Sequence, residues 1–316
     1  HTMHEFPEWA TYVGYPGQNH RWTDNSLEAI TRRNNETFIV QKALQSIDRS
    51  KLTKQDQLNY DLSDSRLKND IEGQKFKGEY LAISPLGGVH QDGVQLLNDM
   101  PVTNVAQCED ILSRLSAYPI LVEQNIVLLE EGLKTGITPA RVTMPEVPQQ
   151  ILNQIVENPV DAPMLGAFKE FPATVPAAEQ ERIRKEAYQI YMDQIVPTLT
   201  RLHQFIVNRY LTGCREEIGC STLPDGQAWY AYMCKYHTTT NMTPDEIFNL
   251  GMSEVKRIRG EMDKVIVKSG FNGDFAAFCD FLRHDPQFFF DKPEDLLTEY
   301  RNICKKADPE LIKLFG

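Results

Sequence analysis

Residues 105–136 read VAQCEDILSRLSAYPILVEQNIVLLEEGLKTG, and their apolar side chains return every three or four positions. Val105, Cys108, Ile111, Leu112 and Leu115 form one helical stripe, with Thr103 or Asn104 placed to cap it. Val122, Ile126, Leu129 and Leu133 fall at i, i+4, i+7 and i+11 and form a second stripe, closed by Gly136. Proline lacks a backbone N–H and clashes with the preceding turn, so Tyr118-Pro119 predicts a break and an antiparallel helical hairpin.

The same periodicity extends outward. In residues 177–211, Ile183, Ala187, Ile190, Leu199, Leu202 and Ile206 share a face, and Pro197 predicts a kink. Thr243-Pro244-Asp245-Glu246 has the form of a helix start, with Thr as N-cap, Pro in the first turn and Glu reaching back as a capping box. Its helix carries Ile247, Leu250, Val255, Ile258, Met262 and Val265 and ends near Gly270. Asp274 starts an aromatic-rich helix closed by Asp285-Pro286, and Pro293-Glu294-Asp295 opens another. Only Tyr80-Leu81-Ala82-Ile83 reads as extended. The expected fold is all-α, a multi-helix array with long, partly kinked helices and little or no sheet. The Pro-rich stretch 138–148 is taken as a boundary, giving an N-terminal helical lobe over 1–140 and a second helical lobe over 141–316.

Composition narrows the function classes. The 316 residues are 41% hydrophobic and 24% charged, which suits a folded globular chain. The net charge of −11 argues against general nucleic-acid binding, since phosphate contacts need clustered Lys and Arg. The one dense basic run, Lys256-Arg257-Ile258-Arg259, is too short to alter this. No apolar run approaches the ~20 residues of a membrane-spanning helix.

A search for chemistry returns little. The histidines are His1, His4, His20, His90, His203, His237 and His284, and no two lie four apart. His-Glu-x-x-His, which sets two imidazoles on one helical face with a Glu to activate zinc-bound water, is absent. So are a Gly-x-Ser-x-Gly elbow and a phosphate-binding glycine loop. Gly87-Gly88 before Val89-His90-Gln91-Asp92-Gly93 reads either as a tight turn with an exposed His90 or as a functional loop in which His90 lines a substrate cleft. Cys214 and Cys220 bracket a polar, turn-prone stretch and are a candidate disulfide, worth roughly 2 kcal/mol by loop-closure entropy and suited to an oxidising compartment.

The most distinctive segment follows Leu223. Pro224-Asp225-Gly226 is a turn, and Ala228, Trp229, Tyr232, Met233 and Tyr236 then recur as a short helix with a wide aromatic face. That helix runs into His237-Thr238-Thr239-Thr240. Two readings stand side by side. The aromatics are core and the threonines are caps; or Tyr236, His237, Thr238, Thr239 and Thr240 line a cleft and hydrogen-bond a peptide or its oxyanion.

These residues carry a resemblance. Residues 224–230, Tyr236-His237-Thr238-Thr239-Thr240 and Thr243-Pro244-Asp245-Glu246-Ile247 resemble the bacterial family called domain of unknown function 885. Trp22-Thr23-Asp24-Asn25-Ser26, Asp56-Gln57-Leu58-Asn59-Tyr60-Asp61-Leu62 and Leu282-Arg283-His284-Asp285-Pro286 agree with it. The closing Asp308-Pro309-Glu310-Leu311 and Leu314-Phe315-Gly316 resemble the family's midpoint. The resemblance implies a protein about twice this length, often a lipoprotein of the periplasm or cell envelope. It also implies a zincin-like peptidase whose zinc-binding helix lies in a C-terminal half absent here. By that implication this chain is scaffold and one wall of a cleft for a peptide-like substrate, inactive alone. Its partner is then the missing half, its cofactor the zinc of the longer protein, and its membrane link a lipid anchor outside this chain. No zinc ligand carries over to any position here. The alternative is a non-catalytic helical module that binds a peptide or protein at the envelope.

Overall fold

The computed structural model describes residues 1–315; Gly316, the last residue of the closing family segment, lies outside them. The fold is all-α, with helices α1 (Leu27–Gln45), α2 (Lys54–Gly73), α3 (Val89–Asp99), α4 (Val105–Thr135), α5 (Val147–Leu152), α6 (Ala177–Ile190), α7 (Val196–Phe205), α8 (Gly226–Thr238), α9 (Pro244–Lys268), α10 (Phe275–His284) and α11 (Pro293–Phe315). The expected extended segment shrinks to a two-residue antiparallel pairing, Ile83–Ser84 with Gly87–Gly88.

Local chemistry sets the helix starts. Ser26, Thr53, Asn104 and Asp274 each accept a backbone N–H three residues on, and Thr243 with Glu246 forms the anticipated capping box. The hairpin expected at Tyr118-Pro119 does not form: α4 runs unbroken for 31 residues with Pro119 inside it. Cys108, Ile111, Leu115, Tyr118, Val122, Ile126 and Leu129 stay three or four apart through the proline and are all buried. Burial of that single stripe, with the Tyr118 hydroxyl donating to Val89 O at 2.8 Å, outweighs one missing helical hydrogen bond.

Pro197 is handled differently. Between α6 and α7 the chain widens into a π turn, Tyr191–Ile195, and Val196 N–H bonds to Tyr191 O. A second π turn, Ile206–Tyr210, follows α7.

The chain divides into two compact units, His1–Asn241 and Met242–Gly316, rather than at the expected 140/141 boundary. Residue 140 lies inside the first unit because one hydrophobic core joins both sides of it. Leu97, Leu115 and Val122 pack in the same cluster as Met144, Ile151, Phe168, Leu199 and Tyr210. A smaller cluster in that unit joins Phe76, Ile137, Leu223 and Trp229. In the second unit, α10 packs on α9, with Arg259 over the Phe275 ring at 3.8 Å. Its aromatic residues Phe271, Phe278, Phe281 and Phe288 form a chain of ring contacts. No described helix is long and apolar enough to cross a membrane.

Candidate functional site

α8 begins where Asp225 takes a left-handed conformation (φ 53°) and Gly226 passes close to the preceding turn. A Cβ on Gly226 would stand 2.1 Å from Cys220 O, so only glycine fits. The helix is then held against the end of α2. The Trp229 ring stacks on Phe76 (centroids 5.5 Å apart, planes at 13°), and Tyr232 packs on Phe76 at 5.2 Å. The Tyr232 hydroxyl donates to Asn69 O at 3.0 Å, passing over Gly73, where a Cβ would meet it at 2.5 Å. Lys235 pairs with Glu72 at 3.1 Å.

Beyond this buried end, α1, α2 and α8 leave an open groove of about 870 Å³. Its apolar wall includes Val40, Leu67, Leu81, Tyr232 and Tyr236, and its rim carries Arg33, Glu36, Arg66, Asp70 and Glu79. Most rim charges are already paired. Arg32 holds Glu5 and Glu36 at 2.6 and 2.8 Å. Asp70 is different: its ion-pair partner is Arg66 at 3.8 Å, too weak to offset desolvation, which holds its carboxyl above the usual range. Desolvation likewise raises the Tyr232 phenol, with the charge of Asp70 adding to it.

The sequence-derived candidates separate here. Tyr236 lines the groove. His237 is exposed and stands edge-on to Tyr236 at 5.1 Å. The three threonines close the helix: Thr238 Oγ1 donates to Cys234 O at 2.8 Å, Thr239 takes the left-handed C-cap position (φ 55°), and Thr240 N–H donates to Thr238 Oγ1 at 3.2 Å. His90 is neither exposed in a turn nor in the groove. It lies fully buried in the first turn of α3, with Nε2 3.0 Å from Gln150 Oε1, and burial lowers its pKa.

All six cysteines are free thiols, so the Cys214–Cys220 bridge is not formed. Cys214 is sealed in the main core, where burial pushes its thiol up to about 11, whereas Cys220 packs on the Trp229 cluster. The stretch between them wraps Arg215, whose guanidinium reaches Thr138 O at 3.0 Å and Gly219 O at 2.9 Å. Among the described residues, no group of three or more His, Cys, Asp or Glu side chains is placed to hold a metal ion. The implied zinc therefore has no fitting ligand set here.

Sequence reasoning did not single out Phe76, Gly73 or Asp70. Their role depends on α8 arriving from more than 150 positions later, and only a lone glycine at the end of α2 hints at a close approach. The Trp22-Thr23-Asp24-Asn25-Ser26 segment is structural: Trp22 Nε1 donates to Arg114 O at 2.8 Å, Thr23 binds the Glu8 carboxylate, and Ser26 caps α1.

None of the curated proteins compared with the chain matches it. Among solved structures, the chain is similar to a Colwellia psychrerythraea protein described as "the putative lipoprotein", with a TM-score of 0.85 and 16% identity. The likeness covers 98% of this chain but 57% of that one, so this chain spans little more than half the length of its solved neighbour. At that identity the likeness is one of fold. The family model described as "Bacterial protein of unknown function (DUF885)" matches residues 7–316. With nearly every residue inside that match, the chain belongs to the bacterial DUF885 family.

Proposed function

We propose that this chain is the helical scaffold and one wall of the substrate cleft in a zinc-dependent, peptidase-like hydrolase of the cell envelope, and that it does not turn over substrate alone. The observation that carries the reading is the aromatic groove between α1, α2 and α8, which has the size of a small-ligand or peptide-segment site. Tyr236, from the segment that carries the family resemblance, lines it. A peptide side chain would lie on Tyr232 and Tyr236, with Asp70 and Arg66 available to backbone or terminal groups. The chain's own part is binding and orientation. The hydrolytic groups belong to residues outside it, since the donor set here does not suit zinc. The envelope location draws on the neighbour's description as a lipoprotein.

The test compares the longer protein with this chain. Metal content and peptide hydrolysis are expected only in the longer form, and Tyr236→Ala there should raise KM about fivefold with kcat little changed, near 1 kcal/mol of lost ring contact. Turnover by this chain, repurified free of metal, overturns the proposal. Binding by the longer protein without turnover of any peptide would favour the binding-module alternative.

A further inference from the structure

The second unit buries little of its own apolar surface. On α9, Phe248, Met252, Val255 and Met262 recur at helical spacing as one exposed stripe, crossed once by Arg259 where it meets Phe275, and Ile266, next on that stripe, is the unit's single buried hydrophobic among the described residues. α11 carries a second stripe, Leu296, Tyr300, Ile303, Leu311 and Leu314, with Tyr300 61% and Leu314 78% exposed. The charged faces satisfy themselves within each helix: Arg257 with Glu254, Lys264 with Glu261, Arg259 with Asp263 and Lys313 with Glu310. Apolar stripes this long are rare on a finished protein surface and mark a place something covers.

Acids and bases nearly balance along both helices, whereas a helix that lies on an anionic membrane is rich in Lys and Arg along its polar face. The likeness of fold covers 57% of the solved chain, and the length left outside it points to a covering body within the same polypeptide.

We propose that the α9 and α11 stripes are the seat of a further helical body in a longer form of this protein, packed by interdigitating side chains along both stripes. This rests on the reading of the chain as one part of a larger protein. Met252 and Met262 sit on the α9 stripe and report its cover through their rate of oxidation by peroxide.

In the longer protein both should oxidise at least tenfold more slowly than in this chain at low micromolar concentration, and Val255→Glu should abolish the difference. Equal rates in the two forms overturn the proposal. So does protection of this chain that grows with its own concentration, which makes a second copy the occupant, or protection by anionic vesicles, which makes it a membrane. A gene that stops at residue 316 overturns it outright. Protection without peptide hydrolysis would keep the docking surface and remove the hydrolase reading; hydrolysis with both methionines freely oxidised would do the reverse.

Discussion

Arg114 is the side chain whose environment is hardest to reconcile with its chemistry. It is completely buried on α4, and its hydrogen bonds go to Arg21 O at 3.0 Å, Thr11 Oγ1 at 2.9 Å, Pro7 O at 3.3 Å, Gln18 O at 3.4 Å and Met100 Sδ at 3.2 Å, with the Trp22 ring 5.1 Å away. Burial lowers its pKa to about 10, with the charges of Glu8 and Asp110 acting against that shift, so it remains charged at neutral pH and is solvated by backbone carbonyls. All of its hydrogen-bond partners but Met100 lie in the first 25 residues, making Arg114 the pin that holds the N-terminal segment to the bundle. Arg114→Met should cost about 3 kcal/mol in denaturant unfolding, because several carbonyls lose their donor at once. It should also raise amide exchange in the N-terminal segment more than elsewhere.

His90 gives a pH signature. Its folded pKa lies below the ordinary 6.5 because burial disfavours the imidazolium, so the unfolded chain takes up the proton first. The resulting stability is fully present above about pH 6.5 and is lost as pH falls from there towards the folded value, at up to about 1.4 kcal/mol per pH unit. Urea midpoints between pH 7.5 and 5.5 should therefore fall more for the natural chain than for His90→Gln; equal slopes would refute the assignment. The sequence hid this residue: flanking glycines suggested an exposed turn, while its partner, Gln150, comes sixty positions later.

At the scale of elements, what was legible was what is local. The capping box at Thr243 and the cap at Asp274 depend on neighbours within one turn, and both appear in the fold. The groove depends on Phe76 meeting Trp229, which no local pattern announces. In α4, Pro119 alone predicts a break, but the apolar stripe keeps its phase from Leu115 through Tyr118 to Val122, and burial of that stripe decides the fold. Pro119→Ala should stabilise the protein by about 1 kcal/mol or more in thermal or denaturant unfolding, restoring a helical hydrogen bond while loosening the unfolded chain. Gly226→Ala at the head of α8 should do the opposite, costing at least about 2 kcal/mol through its clash with Cys220 O.

At the scale of the whole molecule, the two units differ in how much they bury. The first encloses a core running from Ile83 to Cys214, whereas the second buries Ile266 alone among its described hydrophobics. Amide protons of α4 and α7 should therefore exchange with the slowest, globally limited rates, and those of α9 and α11 much faster through local opening. Comparable protection in both units would show that the second is stabilised by something other than buried apolar area.

The two widened turns between α6 and residue 210 bear on how this fold tolerates change. Ile183, Ala187, Tyr191, Ile195, Leu199, Leu202, Ile206 and Tyr210 keep one buried line although most of their steps are four residues, more than ordinary winding allows. Each turn thus absorbs a surplus residue. Losing one residue inside either should let the backbone relax to regular winding with both flanks still facing inward. The same loss elsewhere along the line would swing everything downstream by about 100°, so length variants among relatives should gather at these two places.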